Sequence, residues 1–465
     1  MHLPKFWAGG ALFLLAGMLQ ASVQDPVAPD TQDSGAEDAA AETAEAKPEH
    51  VFVSADKVIV RPGKVLEPGQ VLVRDGVIVA VGEGLEAPEG ATLLKGKVVC
   101  AAFLDPWSSL GLSNAARTDR GSDAATRSVD GYDPSMTLGP AREAAHAGVL
   151  NARVQVGART AIGGLGALVS TLEGEMPLLA DAGVGANLTL GEDAIERIED
   201  VDKLVGEIES GLKYDQSQVS YRADLEAWEK EIAELEKKLE KDFKKAKKDR
   251  DKKVKEAKEK GKEHKDKSHK DPKRPRQPKY NPEDEVFARV ATGQIPLIVH
   301  AERASVLREL LKGLKRFPSV RLIVAGGTQA MHVADELAER RIPVIVFPDP
   351  EGARSLGVRE GQGLALAAEL DEAGVPVLIG SGGTTAARDL PLLAALAVGH
   401  GLDADKALAA ITSGAARYLD CADQIGSVQR GRSANLLVLN GDPLSSTTRV
   451  EYALSAGRVV VAPKE

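Results

Sequence analysis

Cysteine is scarce in this chain of 465 residues, where only Cys100 and Cys421 are present. Two cysteines allow at most one disulfide, so a fold stabilised by several disulfides is excluded. Whether these two residues pair or remain separate buried thiols stays open. A nucleophile turn of the G-x-S-x-G type is also lacking. The glycine clusters at 163–170 and 380–385 are more typical of tight strand-to-helix turns than of an anion-binding loop.

Long hydrophobic runs are lacking as well. The apolar run "FWAGGALFLLAGML" at 6–19 is too short for a good membrane span. With Lys5 before it and the small residues of "LQASV" after it, the run predicts a secretory signal peptide over residues 1–23. No cysteine follows that would carry a lipid anchor. We therefore expect an exported protein, periplasmic or extracellular, with no membrane span after signal removal.

Aromatic residues make up only 4 % of the chain, and they are almost absent from its most basic segment. Residues 241–280 contain 19 Lys and Arg against 8 Asp and Glu, which leaves a net charge of about −21 on the remainder of a chain whose total is −10. Only Phe243 and Tyr280 are available there for base stacking, so we expect no specific nucleic-acid binding. Electrostatic binding of this lysine-rich arm to a nucleic acid or an anionic surface polymer remains an alternative to a charged helix exposed to solvent.

Short β-rich runs occur at both ends of the chain. Residues 51–98 contain three, with Asp75-Gly76 as a tight-hairpin signal, and residues 425–465 contain two more. We expect these ends to pair into one small composite β-sandwich domain. The Ala-, Pro- and acid-rich residues 24–50 predict a disordered leader before it.

Between the ends, continuously apolar runs such as 320–327, 342–348 and 375–383 alternate with helical patterns. This is typical of parallel strands buried on both faces, and it predicts an α/β fold with a (β/α)8 TIM-like barrel over 99–424. Residues 222–280 predict a long charged helical insertion that ends in a proline-rich tether. Its apolar stripe has coiled-coil spacing, at Leu225, Trp228, Ile232, Leu235 and Leu239. Whether the stripe contacts another chain or its own stays open.

The order of these segments resembles the metal-dependent amidohydrolase superfamily, in particular its exported imidazolonepropionase-like branch. The resemblance spans 51–465 apart from the insertion. It is carried by "GQVLVRDGVIVAVGEG", "GKVVCAAFLDPWSSLGL", "IGGLGALVS", "IPLIVHAERA", "AITSGAARYL" and "IGSVQRGRSANLLVLNGDPL". It implies one or two divalent metals such as zinc, which activate a water to hydrolyse non-peptide C–N bonds of cyclic amides or amidines. It also implies a homodimer.

Most of the family's metal ligands have no counterpart when they are carried over one by one. The His-x-His pair falls on Trp107 and Ser109, the sixth-strand His on Gly326 and the eighth-strand Asp on Gly382. Only the fifth-strand His is retained, as His300. A zinc site normally has three or four protein ligands, so we expect no metal and no cofactor. We expect instead a pocket at these five positions, filled by the indole of Trp107.

Other residues are not expected to restore the centre. His146, His332 and His400 fall on helical segments, His264 and His269 lie in the lysine-rich arm, and Asp105 is expected to brace its loop. No catalytic residue is therefore assigned, and whether the chain is an enzyme stays open. The favoured hypothesis is a non-catalytic amidohydrolase-like protein that binds an unknown small molecule or protein. The alternative is an active C–N hydrolase with a rebuilt centre on His300, Glu302 and Arg303.

Overall fold

Strands and helices alternate through the computed structural model, which describes residues 49–113, 115, 123–133, 135, 138–157, 160–172, 175, 177–191, 193–257, 272–348, 363–383 and 385–463. The expected signal peptide at 1–23 and almost all of the acidic leader at 24–50 lie outside these residues, as do His264 and His269. Within the described part of the chain, no helix is both long enough and apolar enough to span a membrane.

The strands, in chain order, are β1 (His50–Arg61), β2 (Lys64–Leu66), β3 (Gly69–Arg74), β4 (Val77–Gly82), β5 (Thr92–Ala101), β6 (Phe103–Ser108), β7 (Val149–Val154), β8 (Ile162–Leu165), β9 (Ala167–Ser170), β10 (Val184–Asn187), β11 (Leu297–Ala301), β12 (Leu322–Gly326), β13 (Val344–Val346), β14 (Val377–Ile379), β15 (Leu436–Leu439), β16 (Val450–Ser455) and β17 (Arg458–Val461). The α-helices are α1 (Leu138–His146), α2 (Ala194–Ala257), α3 (Pro282–Ala291), α4 (Ala304–Leu314), α5 (Ala334–Glu339), α6 (Leu366–Glu372), α7 (Leu390–Gly399), α8 (Ala404–Ala410) and α9 (Ser413–Tyr418).

The two ends of the chain meet in one mixed sheet of eight strands, ordered β17-β16-β15-β5-β1-β3-β4, with β2 paired to β1. Asp75 and Gly76 have φ of 48° and 80° and form the tight turn that the sequence predicts between β3 and β4. Alternate residues of β5 face two different cores, with Val99 in the apolar cluster of the terminal strands and Cys100 in the central cluster. The terminal strands thus form one continuous sheet, where the sequence predicts a sandwich of two.

The central strands form two sheets rather than the closed barrel that the sequence predicts. One sheet has the order β14-β13-β12-β11-β10-β8, and the other has the order β6-β7-β9. Strands β10 to β14 are parallel, as expected, but β8 is antiparallel to β10 and β9 is antiparallel to β7. Because β8 pairs with one sheet and β9 with the other, the strand pairing between the described residues does not continue around a closed barrel. A backbone hydrogen bond joins the two sheets from Gly382 N to Trp107 O (3.1 Å), and Gly166, between β8 and β9, exchanges two with the segment before β10, from Gly166 N to Gly183 O (2.8 Å) and from Ala182 N to Gly166 O (2.6 Å).

The charged helix is longer than the sequence predicts, because α2 begins at Ala194 and not at 222. Asp193 caps it by accepting hydrogen bonds from Ile195 N (2.7 Å) and Glu196 N (3.0 Å). Its first turns pack into the central core through Val201, Leu204, Val205 and Ile208, which are buried. The insertion is therefore an extension of a helix that begins on the core.

Residues 272–280, called the proline segment below, have neither helix nor strand and lie against α2. Pro272, Pro275 and Pro278 are half-buried, a spacing of three that matches a polyproline II turn. Trp228 Nε1 donates to Pro272 O (2.9 Å), and the Arg274 guanidinium lies 5.8 Å from the Trp228 ring centroid. Part of the predicted apolar stripe thus contacts its own chain.

Cys100 and Cys421 are separate buried thiols, which resolves the alternative that the sequence leaves open. Burial raises the pKa of both thiols, so they are not reactive thiolates at neutral pH.

Candidate functional site

The alternation of side chains along the central strands determines which residues share the interior face. Ile298, Ile323, Ile345 and Leu378 are buried in one apolar cluster, whereas the residues next to them in sequence face the helices. His300 lies two residues after Ile298 and so faces the same interior. The ends of these strands therefore bring the predicted pocket positions of β6, β11, β12 and β14 toward one region.

An aromatic cluster of Trp107, His300 and Phe347 occupies this region. The ring centroids of Trp107 and His300 are 5.8 Å apart, and Phe347 lies 6.2 Å from Trp107 and 6.0 Å from His300. All three side chains are half-buried. Trp107 and His300 are predicted from the sequence as pocket residues, whereas Phe347 is not. Its position directly after the apolar strand β13 is the feature of the sequence that could have indicated it.

His300 and Glu302 form a hydrogen-bonded pair. The distance from His300 Nε2 to Glu302 Oε1 is 2.8 Å, and Glu302 Oε2 accepts from Thr328 N (2.9 Å) and from Thr328 Oγ1. Burial raises the pKa of the Glu302 carboxyl, but these hydrogen bonds outweigh it, so the pKa lies below its usual value. With a carboxylate acceptor on Nε2, Nδ1 is the basic nitrogen of the neutral ring. The neighbouring Arg303 is exposed at the start of α4.

Gly326 is the position at which the resemblance implies a histidine, and the Glu302 carboxylate occupies the space that a side chain there would need. Gly326 has φ of +81°, and a Cβ on it would lie within 3.0 Å of Oε1, Cδ and Oε2 of Glu302. A side chain at 326 would need both a strained backbone and a displaced Glu302. The sequence marks Gly326 as a missing ligand but does not reveal what replaces it.

Asp105 braces the end of β6, as the sequence predicts. Its Oδ1 accepts from Trp107 N (3.2 Å) and Ser381 N (3.0 Å), and its Oδ2 accepts from Ser381 Oγ (2.5 Å). Burial raises the Asp105 pKa to about 6, although these hydrogen bonds lower it. Gly382 follows with φ of +76°, and the Ser109 carbonyl accepts from Leu112 N (3.2 Å). Gly382 and Ser109 thus contribute to the backbone conformation of their loops.

Arg153 is, after Phe347, a second residue of the region that was not predicted from the sequence. Its side chain is fully buried, with Cζ 5.7 Å from the Trp107 ring centroid. Nε donates to Ala182 O (2.8 Å), Nη2 donates to Gln155 Oε1 (2.6 Å) and Gly183 O (3.3 Å), and Nη1 has no hydrogen-bond partner. Burial lowers the Arg153 pKa to about 9. The signal was present in "VLNARVQV", where Asn, Arg and Gln alternate with apolar residues.

The described residues do not fit the metal centre that the resemblance implies. No three His, Cys, Asp or Glu side chains among them are grouped so that they could hold a metal ion. His146, His332 and His400 are exposed on helical segments, as expected. The buried carboxylates Asp105 and Glu302 both use their oxygens to accept hydrogen bonds from their own chain.

Comparison with known proteins finds two kinds of similarity to amidohydrolases, one in part of the sequence and one in the fold. Residues 295–462 match the Amidohydrolase family. An amidohydrolase from Thermotoga maritima MSB8 shares the fold with a TM-score of 0.65 at 21 % identity, covering 89 % of this chain and 100 % of that chain. A prolidase complexed with N-methylphosphonate-L-proline aligns with a TM-score of 0.50 at 15 % identity, covering 89 % and 100 %. At these identities the likeness concerns the fold. A search of curated protein sequences finds no match.

Proposed function

We propose that this chain is an exported, metal-free protein of the imidazolonepropionase-like branch that binds a small ligand at its aromatic cluster and does not hydrolyse it. One observation carries the proposal. Both oxygens of Asp105 and both oxygens of Glu302 accept hydrogen bonds from the protein itself. These are the buried acids that the described strand ends bring to the site.

This arrangement argues against metal-dependent hydrolysis. A catalytic zinc needs about three protein ligands with free lone pairs and an open position for water. If Glu302 turned toward a metal, Thr328 N would lose its acceptor, and if Asp105 turned, Ser381 N would lose its acceptor. Each buried donor left unpaired costs about 1–3 kcal/mol. The carboxylates therefore serve the fold and not a cation.

Binding is supported by the aromatic cluster. Trp107, His300 and Phe347 are half-buried and lie around one region where strands end, so part of each ring is accessible. Aromatic side chains with few polar groups are typical of small-molecule pockets. Export rests on the signal-like residues 1–23 alone. The homodimer implied by the resemblance stays a prediction.

The test is metal content together with hydrolysis. The purified mature chain is dialysed against zinc, nickel and iron in turn, bound metal is measured by mass spectrometry, and cyclic imides, imidazolones and Xaa-Pro dipeptides are assayed. We expect well under one metal per chain, unchanged in His300→Ala and in the control His332→Ala, and no hydrolysis. About one metal per chain, lost in His300→Ala but kept in the control, together with turnover, would overturn the proposal.

A second function is favoured by the 2.8 Å contact between His300 and Glu302. A carboxylate that orients an imidazole is a common element of general-base catalysis, and Nδ1 of His300 would be the base. In that case the chain hydrolyses a C–N bond without metal. His300→Gln would abolish turnover, and Glu302→Gln would lower it and shift its pH profile. Turnover that is the same in both variants would exclude this centre.

A further inference from the structure

We propose that Arg153 binds a carboxylate group of the ligand, at a site between the two central sheets and beneath the indole of Trp107. This inference rests on the proposed function and names the chemistry of the ligand.

The first support is a buried charge with no partner. Arg153 is fully buried, its hydrogen bonds go to neutral oxygens of Ala182, Gly183 and Gln155, and no carboxylate among the described side chains pairs with it. Nη1 carries two N–H donors, and neither has an acceptor. An unpaired buried cation is strongly unfavourable, and a carboxylate is the group whose charge and geometry match a guanidinium.

The second support is that the chain is shaped to hold this guanidinium. A Cβ on Gly166 would lie within 3.0 Å of Nη2, Cζ and Nε of Arg153, so the absence of a side chain there makes the space. A Cβ on Gly185 would likewise overlap the amide of Gln155. The junction between β8 and β9 and the strand β10 thus each have a glycine where a side chain would overlap Arg153 or Gln155.

The orientation of the guanidinium is also determined. Gln155 Nε2 donates to Val156 O (3.0 Å) and Gly164 O (2.6 Å), which leaves Oε1 to accept from Arg153 Nη2. The carbonyls of Ala182 and Gly183 accept along the same edge of the guanidinium. Nη1, on the other edge, is therefore presented in a constant direction, which lowers the entropy that a ligand would lose on binding.

Trp107 covers this site and forms its entrance. The indole lies 5.7 Å from Arg153 Cζ and contacts the rings of His300 and Phe347. The backbone of Trp107 is held by Asp105 and Gly382, but no hydrogen bond to its indole nitrogen is found in the described residues. Rotation of the ring breaks no such bond, and it opens a path along which the carboxylate reaches Nη1 while the apolar body of the ligand lies against Phe347.

A single negative charge matches this site better than a phosphate. Arg153 is the one cation that the described side chains bring into contact with the aromatic cluster. A dianion would need a second cation to offset the cost of burial.

The experiment uses matched acids and amides as probes. Formate, acetate and benzoate are each compared with formamide, acetamide and benzamide on the mature chain carrying Trp228→Phe, so that Trp107 dominates the fluorescence. We expect saturable changes in emission and a raised unfolding midpoint with carboxylates only. Arg153→Met should weaken this response by about tenfold or more. Arg289→Met is the control, because Arg289 already pairs with Asp181 at 2.8 Å and should leave the response intact.

Three outcomes would overturn the inference: no saturable response to any of the carboxylates, an equal response to the amides, or a response that survives Arg153→Met. None of these outcomes bears on metal content or hydrolysis, so the carboxylate site can fail while the proposed function stands. Conversely, a stoichiometric metal with turnover would reject the proposed function whatever the probes do.

Discussion

Replacing Arg153 by methionine should make the folded protein more stable. Burial lowers the pKa of the guanidinium well below its usual value, to about 9, and this difference corresponds to about 5 kcal/mol that the native state loses by keeping the charge inside. Methionine removes that loss, fills much of the same space and is apolar. The gain arises because an isolated buried charge is worse than an apolar side chain of similar volume.

Three hydrogen bonds are lost in exchange. Ala182 O and Gln155 Oε1 lose their donor, at about 1 kcal/mol each. Gly183 O still accepts from Gly166 N, so its loss is small. The expected net effect is a rise in the free energy of unfolding of about 3 kcal/mol at neutral pH.

The pH dependence has a definite sign. Above about pH 9 the native Arg153 releases its proton, whereas in the unfolded chain the guanidinium has its usual, much higher pKa and keeps the proton. Because the unfolded state then binds more protons, this residue makes the wild type more stable as pH rises through that interval. The difference in the free energy of unfolding between Arg153→Met and the wild type should therefore be constant below about pH 9 and should decrease above it.

The assay is urea unfolding of both proteins, followed by circular dichroism, at neutral pH and at several values above 9. Arg289→Met serves as the control, because Arg289 has a carboxylate partner in Asp181 and its removal should be neutral or destabilising by about 1 kcal/mol. If Arg153→Met instead lowers the free energy of unfolding, the guanidinium is a structural brace, and the reasoning about an unpaired charge is wrong.

Three further changes test other parts of the structure. Gly326→Ala should destabilise by about 2–4 kcal/mol in urea unfolding, because it adds strain at positive φ and overlaps Glu302. Gly383→Ala, with no atom within 4 Å of a Cβ, should change little, and equal effects would contradict this explanation. Burial raises the Asp105 pKa to about 6, so as pH rises from about 4 to 6 the free energy of unfolding of the wild type should fall by up to about 3 kcal/mol relative to that of Asp105→Asn. A difference between the two proteins that stays constant over this range would refute the raised pKa. Trp228→Ala should speed tryptic cleavage in the proline segment more than Trp228→Phe, because Phe loses the hydrogen bond to Pro272 O but keeps a ring against Arg274, and identical rates in the two variants would show that the ring does not hold the segment.

Much of the fold follows from local patterns in the sequence. The tight turn at Asp75-Gly76 and the parallel strands at 322–326, 344–346 and 377–379 follow from turn chemistry and from continuous hydrophobicity. The course of β8 and β9 does not, because "IGGLGALVS" is apolar throughout and its periodicity says nothing about which strand each half pairs with. The heptad stripe does not indicate the start of α2, because the stripe begins at Leu225 and the helix begins at Ala194. The core-facing residues Val201, Leu204, Val205 and Ile208 continue the same helical spacing toward the N-terminus.

The candidate site, like the fold, is only partly predictable from the sequence. His300, Trp107, Gly326 and Gly382 are singled out in the sequence by the resemblance alone, and each lies at or directly after the end of an apolar run. Their partners could not be predicted, because the hydrogen bond from Thr328 to Glu302 and that from Ser381 to Asp105 join distant segments. The unpaired Nη1 of Arg153 is harder still to predict from the sequence, because it depends on which hydrogen-bond acceptors the surrounding strands supply.

These contacts also mean that a metal ligand could not be introduced at a single one of the positions that the resemblance points to. A histidine at 326 would have to adopt positive φ and displace the Glu302 carboxylate from the volume it occupies. Moving Glu302 removes the partner of His300 Nε2 and of Thr328 N, so the one retained histidine would lose its orientation at the moment when a second was added. A histidine at 107 would in turn uncover Arg153, whose positive charge repels a divalent cation nearby. The positions at 107, 300, 302 and 326 therefore act as one repacked unit, and a metal centre would require that several of them change together.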